Sequence, residues 1–294
     1  MTAPAIVFTY NRAEKTKLTL DALNNNTLAP DTDLIIFCDA YDPGKENDLE
    51  KTEAVKKVLY DFKKVSRFRS VRIYQAEKHF GLARSVINGV NQVMNEYGSV
   101  IVTEDDLVSH KNYLEYMNEA LEYYKDDQRV WSISGYSYDL KCNEAADDVY
   151  FTYRGSSWGW ATWKDRWDQT DWTMKDYDTI LRHPKRLKNL NRAGRDLLTM
   201  LRNQKNHVVD SWAVRWVFEQ TRNAQMTVYP AHTFLYNIGL DGSGSHKVAD
   251  GNDQWEDLDE VPYHLIPVKY DPEKLNEFAQ NYEDPYFGTV EKFR

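Results

Sequence analysis

Three consecutive carboxylates, Glu104, Asp105 and Asp106, directly follow the apolar residues 100–103. Adjacent carboxylates at a partly buried position repel one another, and a cation relieves that repulsion. A hard divalent cation binds one or two carboxylates and completes its shell with water and substrate phosphates. It would then stabilise charge on a leaving diphosphate. The alternative is a solvated turn into a helix, whose N-terminus also favours carboxylates. The triplet favours the metal and phosphate interpretation.

A single aspartate, Asp210, is the candidate general base in the second half of the chain. One carboxylate within hydrogen-bond reach of a hydroxyl suffices to activate it. Asp210 lies between the apolar pair Val208 and Val209 and the aromatic Trp212, and we expect these neighbours to raise its pKa by desolvation. The alternative is that Asp210 caps the helix predicted for SWAVRWVFEQ.

Aromatic side chains make up 14% of the chain, and several are concentrated in SSWGWATWKDRW, residues 156–167. Trp158, Trp160 and Trp163 either belong to the core or form a wall against which a sugar ring stacks. We assign Trp158, Trp160 and Trp212 to acceptor binding. Gly159 would allow close approach of the backbone to a ligand, and we assign it to the donor sugar.

The elements that must position these residues alternate between strand and helix in the first third of the chain. Residues 5–8, 34–38, 71–74 and 100–103 read as strands, and two of them are almost wholly apolar, as in sheets covered on both faces. The intervening segments have one apolar face each. These faces are formed by Ala13, Thr16, Leu20 and Leu23, by Val55, Val58, Leu59 and Phe62, and by Val86, Val90, Val93 and Met94. This alternation predicts parallel βαβ units.

The chain has no G-x-G-x-x-G after the first strand and no G-x-x-x-x-G-K-[ST], so neither a dinucleotide motif nor a P-loop is present. We expect a helix after Asp106, capped by Ser109, and further strands at 130–134, 149–153 and MTVYP. The simplest organisation is one domain over residues 1–294. It has a nucleotide-sugar-binding half (1–110), an acceptor-binding and catalytic half (111–250) and a tail (251–294).

Composition limits the class of protein. A formal net charge of −9 argues against general nucleic-acid binding. Two cysteines, Cys38 and Cys142, suit a reducing compartment. The N-terminal sequence MTAPAIVFTYNR lacks a basic region followed by a long apolar stretch, and no run of about 18 apolar residues occurs. We therefore expect a cytoplasmic protein.

One basic stretch contrasts with the acidic balance. Between Arg182 and Lys205 the chain has eight Lys and Arg residues and a single acid, Asp196. This is either a solvated helix face or a surface for an anionic lipid or a diphosphate-linked acceptor. Peripheral contact with the inner face of a cell membrane is therefore one expectation.

Several of these segments, taken in order, resemble a known family. They are IVFTYNRAEKTKLTLDALNN, IIFCDAYDP, HFGLARSVINGV, VIVTEDDLVSHKNYLEYMNEAL, YRGSSWGWATWKDRW and VVDSWAVRW, and the order holds over roughly residues 4–247. Together they resemble inverting glycosyltransferases of the GT-A fold, the N-acetylglucosaminyltransferase I family and related bacterial family-2-like sugar transferases. The implied fold class is α/β, a Rossmann-like mixed sheet with flanking helices.

The resemblance implies a role for most candidate residues. Asp106 matches the direct ligand of a metal, commonly Mn²⁺, with Mg²⁺ as the other expectation. Glu104 and Asp105 match residues near the ribose and the metal-bound waters. Asp39 matches an aspartate that hydrogen-bonds the uracil ring, and Arg12 matches an arginine at the diphosphate or base. Without the resemblance, Asp39 reads as a turn before DPG, and Arg12 as a surface ion pair.

The same resemblance extends the nucleotide-sugar site to Thr9 and Asn11, and Arg84 near the third strand could also reach it, as could His79. His246, in the Gly-rich loop GLDGSGSH, is a candidate additional metal ligand. That loop could order over a bound donor as a lid. The family has two adjacent aspartates where this chain has Asp210 followed by a serine, so the assignment of the base to Asp210 rests on the alignment.

The sequence therefore predicts a metal-dependent inverting enzyme that transfers a sugar, GlcNAc first among the candidates, from a UDP-sugar. The acceptor would be a hydroxyl of a glycan or a lipid-linked saccharide. One alternative is a sugar nucleotidyltransferase, which would need a Gly-rich basic signature after the first strand. The other is a non-catalytic carbohydrate-binding protein, which would not need the acidic triplet.

Overall fold

A computed structural model of the chain describes residues 2–141, 148–240 and 260–282. Its strands, in chain order, are β1 (Ala5–Thr9), β2 (Asp33–Cys38), β3 (Ser70–Gln75), β4 (Ser99–Glu104), β5 (Leu107–Ser109), β6 (Val130–Ser134), β7 (Tyr150–Thr152), β8 (Trp160–Trp163), β9 (Met226–Tyr229) and β10 (Leu235–Asn237). Its α-helices are α1 (Ala13–Asn24), α2 (Asp48–Val65), α3 (Leu82–Tyr97), α4 (Tyr113–Tyr124), α5 (Lys164–Trp167), α6 (Tyr177–Leu181), α7 (Pro184–Arg192), α8 (Leu197–Lys205), α9 (Trp212–Arg222) and α10 (Pro272–Gln280).

Eight of the strands form one sheet in the order β3-β2-β1-β4-β8-β6-β9-β7. The strands β3, β2, β1 and β4 are parallel neighbours, whereas β8 runs antiparallel to both β4 and β6. The carboxyl ends of the four parallel strands therefore meet at one edge of the sheet, where ligands bind in open α/β sheets. This mixed sheet with flanking helices confirms the predicted fold class.

The parallel strands are covered on both faces. Along β1, Ala5 and Val7 pack in one hydrophobic cluster and Ile6 and Phe8 in another. The first cluster includes apolar residues of α1, α2 and α4, and the second those of α3 and α9. Because successive side chains of a strand point to opposite faces, a strand between two helical layers must be apolar at every position. This explains the unbroken apolar runs seen in the sequence.

The segment after the acidic triplet differs from the prediction. Instead of entering a helix capped by Ser109, the chain forms β5, which pairs antiparallel with β10. Helix α4 begins only at Tyr113, after Asn112 at the N-cap. Ser109 is buried and its hydroxyl accepts a hydrogen bond of 3.0 Å from the side-chain amide of Asn26. The predicted cap was wrong because β10, far along the chain, supplies a partner strand.

Within the ranges described above, none of the helices has the length and apolar character needed to cross a membrane.

Candidate functional site

The acidic edge, formed by Glu104, Asp105, Asp106 and Arg12, lies where β1 and β4 end side by side. Parallel pairing places Phe8 of β1 opposite Glu104 of β4. The residues that follow each strand are thereby brought together, although more than 90 positions separate them in the chain. The guanidinium of Arg12 pairs with the carboxylate of Asp105, and its Nη1 lies 2.8 Å from Oδ2 of Asp106. The predicted triplet and arginine thus form one cluster.

Burial and mutual repulsion disfavour the charged forms of the carboxyl groups in this cluster. Burial is the larger cause. It raises the pKa of Glu104 to about 8, with repulsion from Asp106 and Asp105 adding to the effect. Burial also raises the pKa of Asp105 to about 6, although the charge of Arg12 opposes the rise. The Oδ2 atom of Asp105 is buried and has no hydrogen-bond partner among the described residues. One guanidinium does not neutralise three carboxylates, so the edge favours a further cation.

The oxygen donors of the acidic edge suit Mg²⁺ or Mn²⁺. Within residues 2–141, 148–240 and 260–282, however, no three His, Cys, Asp or Glu side chains are grouped to hold a metal. A cation bound at this edge would take one or two carboxylates, with phosphate oxygens and water as its other ligands. Asp106 is 8% exposed, and a side chain at Gly239 would lie 2.1 Å from its Oδ2 atom. Glycine at 239 is therefore needed for this close approach of the backbone to Asp106.

The loop after β1 is held in place by Asp48, at the first turn of α2. The hydroxyl of Tyr10 and the side-chain amide of Asn11 each donate to Asp48 at 2.5 Å, and the backbone N–H of Asp42 donates at 2.7 Å. Burial opposes ionisation of Asp48, but these three donors hold its pKa below the ordinary value. Asn11, predicted to bind the nucleotide-sugar, therefore lies at the site with its amide already engaged. Thr9 is buried and lies beneath the loop.

Asp39, directly after β2, binds the loop that leads into α3 through hydrogen bonds. Its carboxylate accepts from the backbone N–H groups of Ala40, Phe80 and Gly81 at 2.9–3.0 Å, and His79 Nδ1 lies 2.9 Å away. A carboxylate has about four acceptor positions. A contact to uracil would therefore displace one of these neighbours.

A cavity of about 250 Å³ opens beside Asp39 and is lined by the aromatic rings of Phe37, Tyr74 and Phe80. Phe37 and Tyr74 stack with ring centroids 5.2 Å apart. Polar side chains of α3, including that of Asn88, complete the lining. Aromatic walls with a few polar groups are typical of pockets for planar ligands. Arg84 is exposed nearby, with its guanidinium 5.0 Å from the ring centre of Phe80.

The tryptophans of the second half are mainly core residues. Trp160 and Trp212 are 1% and 2% exposed, and their rings lie 5.1 Å apart in the cluster between the sheet and α9. Trp163 is also buried and donates from Nε1 to the carbonyl of Leu121. Buried rings offer no face to a sugar, so the assignment of Trp160 and Trp212 to acceptor binding was wrong. Trp158 is half-buried and remains a candidate.

The backbone of Gly159 does approach another group closely, as expected, but that group is a side chain of the protein and not a ligand. Gly159 has φ of +57°, and a Cβ atom there would lie 1.8 Å from Leu235 Cδ1 and 3.0 Å from the hydroxyl of Tyr113. Glycine is required because the side chain of Leu235, on β10, lies directly against this backbone. The assignment of Gly159 to the donor sugar is therefore replaced by a packing role.

Asp210 lies on the surface at the start of α9. Its side chain is 71% exposed and pairs with Arg215 at 2.8 Å. Val208 and Val209 are themselves exposed, so the expected desolvation was wrong. The capping alternative was wrong as well, because the hydroxyl of Ser211 accepts from the N–H of Val214.

The helix that follows Asp210 is fixed against the sheet by Trp212. Trp212, two residues later, packs on Trp160, and Trp160 is paired with Val102, two residues before Glu104. The first residue of α9 therefore packs close to the C-terminal half of β4. His246 lies outside the described residues, as does most of the predicted lid.

Sequence reasoning missed Asp48, Tyr10 and the backbone of Phe80 and Gly81. Asp48 is separated from Asn11 by 37 positions, and nothing in the local pattern distinguishes it from a surface aspartate at the start of a helix. The one available signal was Tyr10 in FTYNR, an aromatic residue directly after a predicted strand.

Comparisons with known proteins give one family and several distant folds. The sequence profile of the GNT-I family matches residues 1–197. No curated protein matches the sequence significantly. The structure is similar to residues 1–349 of TarS from S. aureus, with 11% identity, a TM-score of 0.46, and coverage of 81% of this chain and 60% of that one.

Two other solved structures are similar at a lower level. UDP-glucose pyrophosphorylase complexed with UDP-glucose has 10% identity and a TM-score of 0.38, covering 78% of this chain and 90% of that one. Mouse xyloside xylosyltransferase 1 has 11% identity and a TM-score of 0.37, covering 75% and 81%. Likenesses this distant do not distinguish one reaction from another.

Proposed function

The chain belongs to the GNT-I family, and from this membership we propose that it is a glycosyltransferase that uses a UDP-sugar as donor. The resemblance predicted from the sequence is thereby confirmed. The finer parts of the prediction are proposals: GlcNAc as the transferred sugar, a divalent metal, and a glycan or lipid-linked saccharide as acceptor. The acidic edge supports the divalent metal best, because Oδ2 of Asp105 is buried there with no partner among the described residues. GlcNAc and the acceptor are proposed from the family resemblance.

In this proposal the nucleotide lies across the carboxyl ends of β1, β2 and β4. The aromatic cavity beside Asp39 would take the base. Arg12, which pairs with Asp105 and Asp106, would contact the diphosphate. Asp106 would hold Mn²⁺ or Mg²⁺, with Glu104 and Asp105 close by, and the cation would supply positive charge to the departing UDP. Asp39 and Asp48 act as positioning residues, because each fixes a loop at this edge.

The acceptor would approach from the side of α9. Asp210 is proposed as the base that removes the proton of the acceptor hydroxyl. Its exposure suits an acceptor that arrives from solvent, and acceptor binding would supply the desolvation that the protein alone lacks. Arg215 holds the carboxylate in one orientation. A single displacement by this hydroxyl inverts the anomeric centre.

A panel of UDP-sugars tests the proposal. The full chain is incubated with each donor and Mn²⁺, and UDP and free sugar are quantified. We expect slow hydrolysis with UDP-GlcNAc as the best donor, and at least about tenfold faster release when a saccharide acceptor is present. In a parallel incubation with added pyrophosphate, formation of UTP and sugar 1-phosphate from the UDP-sugar would support the nucleotidyltransferase alternative instead. Absence of any UDP release or UTP formation would contradict an enzymatic role with these donors.

A further inference from the structure

Helices α7 and α8 present a basic surface that the proposed reaction does not use. Exposed basic side chains are found on both helices, on the turn before α7 and on the turn between them. They belong to Arg182, Arg186, Lys188, Arg195, Arg202 and Lys205. This concentration of positive charge belongs to a chain with a net charge of −9, so the remainder of the molecule is strongly acidic.

The one acid of the segment does not weaken this surface. Asp196 accepts two hydrogen bonds from the guanidinium of Arg154, at 2.6 and 3.0 Å. Arg154 is 8% exposed and its guanidinium lies 3.7 Å from the ring centre of Tyr282. The charge of Asp196 is therefore neutralised by a buried partner, and the outer side chains of the segment remain cationic.

Two exposed valines extend the basic surface. Val208 and Val209 lie three and four residues after the end of α8 and are 69% and 42% exposed. Their apolar side chains add nothing to recognition of a soluble polyanion, which needs only positive charge. Cationic side chains beside protruding apolar ones are the arrangement that binds at the headgroup boundary of an anionic bilayer.

Two acidic side chains near this surface are paired with arginines outside it. Asp176, which directly precedes α6, lies 3.0 Å from Arg222, and Asp210 pairs with Arg215. Asp178, on α6, is exposed. The local balance is therefore positive, whereas other faces of this acidic protein would be repelled by a negative surface.

We propose that the α7–α8 surface, consisting of the exposed basic residues of residues 182–205 with Val208 and Val209, docks the protein on an anionic phospholipid membrane. Repulsion of the acidic remainder fixes the orientation of the docked molecule. Because Val209 precedes Asp210, this orientation brings the acceptor side of the proposed site to the membrane. That last consequence rests on the proposed function, whereas the docking itself does not.

Co-sedimentation of the full chain with vesicles tests the proposal. Vesicles of phosphatidylcholine alone are compared with vesicles containing about one third phosphatidylglycerol, at low and high salt. We expect binding to the anionic vesicles only, weakened by salt because the attraction is screened. Each basic residue near an anionic membrane contributes roughly fivefold to partitioning. The double variant Arg186→Glu and Lys188→Glu should therefore lower partitioning by at least about 25-fold.

Matched variants distinguish the effect of the α7–α8 surface from the effect of net charge. Lys57→Glu with Lys63→Glu changes the net charge equally, at exposed positions of α2, and should lower partitioning by less than about threefold. Val208→Ser with Val209→Ser should lower it by roughly three- to tenfold without altering the salt dependence. All variants should keep the parent's circular dichroism and its rate of UDP-sugar hydrolysis.

Three outcomes would overturn the docking proposal. The first is equal binding of the parent to neutral and anionic vesicles. The second is unchanged binding of the Arg186→Glu and Lys188→Glu variant. The third is binding of soluble polyphosphate, abolished by the same variant, with no sedimentation on vesicles. If the parent binds vesicles but does not hydrolyse any UDP-sugar, the result would instead count against the proposed function alone.

Discussion

The two halves of the sheet differ in the side chains that form their core and in where their charged residues lie. The parallel half, β1 to β4, has an aliphatic interior and concentrates its polar groups at one edge, where Asp39, Asp105 and Asp106 are buried and held by neighbouring loops. The antiparallel half, around β6 and β8, has an interior of tryptophans, and its candidate base, Asp210, is on the surface. The buried tryptophans therefore contribute to stability in this chain, whereas the buried carboxylates that follow β2 and β4 belong to the candidate site.

The difference predicts that Asp210 affects catalysis and not folding. Asp210→Asn should lower kcat by about 10²–10⁴ with UDP-sugar affinity nearly unchanged, because a base acts mainly in the transition state. Thermal unfolding should be unaffected, since the side chain is exposed. The control is Asp168→Asn, another exposed aspartate in an ion pair, here with Lys164, which should leave kcat unchanged.

Ser211→Ala completes the Asp210 test. It removes the cap of α9 and should cost about 1 kcal/mol of unfolding free energy. Near-normal kcat in Asp210→Asn would place the base elsewhere. Product that retains the anomeric configuration of the donor would exclude a single displacement altogether.

Trp160 should show the opposite behaviour. Truncating a fully buried tryptophan leaves a cavity, so Trp160→Ala should lower the free energy of unfolding by about 3–5 kcal/mol. Urea denaturation monitored by circular dichroism measures this. Trp158→Ala, at a half-buried position, should cost roughly 1–2 kcal/mol. A loss below about 1 kcal/mol in Trp160→Ala would contradict the core assignment, and the comparison of the two halves would fail with it.

Asp48 sharpens the comparison within the parallel half. Asp48→Asn keeps the size of the side chain but replaces one acceptor oxygen by an NH₂ group. That group cannot accept the hydrogen bond that Tyr10 or Asn11 donates. We expect the KM for UDP-sugar to rise by roughly tenfold with kcat changed less than about threefold, since the loop positions the donor. Asp61→Asn, on the same helix and paired with Lys64 at the surface, should change neither. Equal effects of the two substitutions would remove Asp48 from the site.

Glu219, buried in α9, gives a smaller effect that depends on pH. Burial raises its pKa above the ordinary value of 4.5, although the charge of Arg222 opposes the rise. The folded state thus favours the protonated form, so this contribution to stability is complete below pH 4.5 and is lost as the pH rises through the folded pKa. The stability of Glu219→Gln relative to the parent should therefore be greater at pH 8 than at pH 4. A constant difference across this range would contradict the burial of that charge.

The sequence predicts the parallel half of the sheet better than the contacts between distant segments. Strands β1 to β4 and helices α1 to α3 were predicted because apolar periodicity is a local property of the chain. The acidic edge was predicted because it directly follows a strand. The roles of Asp48, Gly159 and Trp160 were not, since each depends on a partner distant in sequence: Asn11, Leu235 and Trp212.

Asp210 illustrates a second limit. Its apolar neighbours in sequence suggested a desolvated carboxylate, but Val208 and Val209 are exposed, so neighbours along the chain do not enclose it in space. The split of the basic stretch into α7 and α8 has a similar cause. The turn between them, residues 193–196, is fixed by Arg154 and by the backbone of Tyr282, and neither belongs to the stretch itself.

The most direct test of the proposed nucleotide site is a calorimetric titration of UDP into the parent and into Asp106→Ala, each with and without Mn²⁺. The acidic edge predicts that Mn²⁺ increases UDP affinity in the parent by at least about tenfold, because a cation relieves the repulsion among the carboxylates and between them and the diphosphate. Asp106→Ala should lose that increase while keeping the parent's thermal unfolding temperature. Equal UDP affinity in the two proteins at saturating Mn²⁺, or no UDP binding by the parent, would contradict the site.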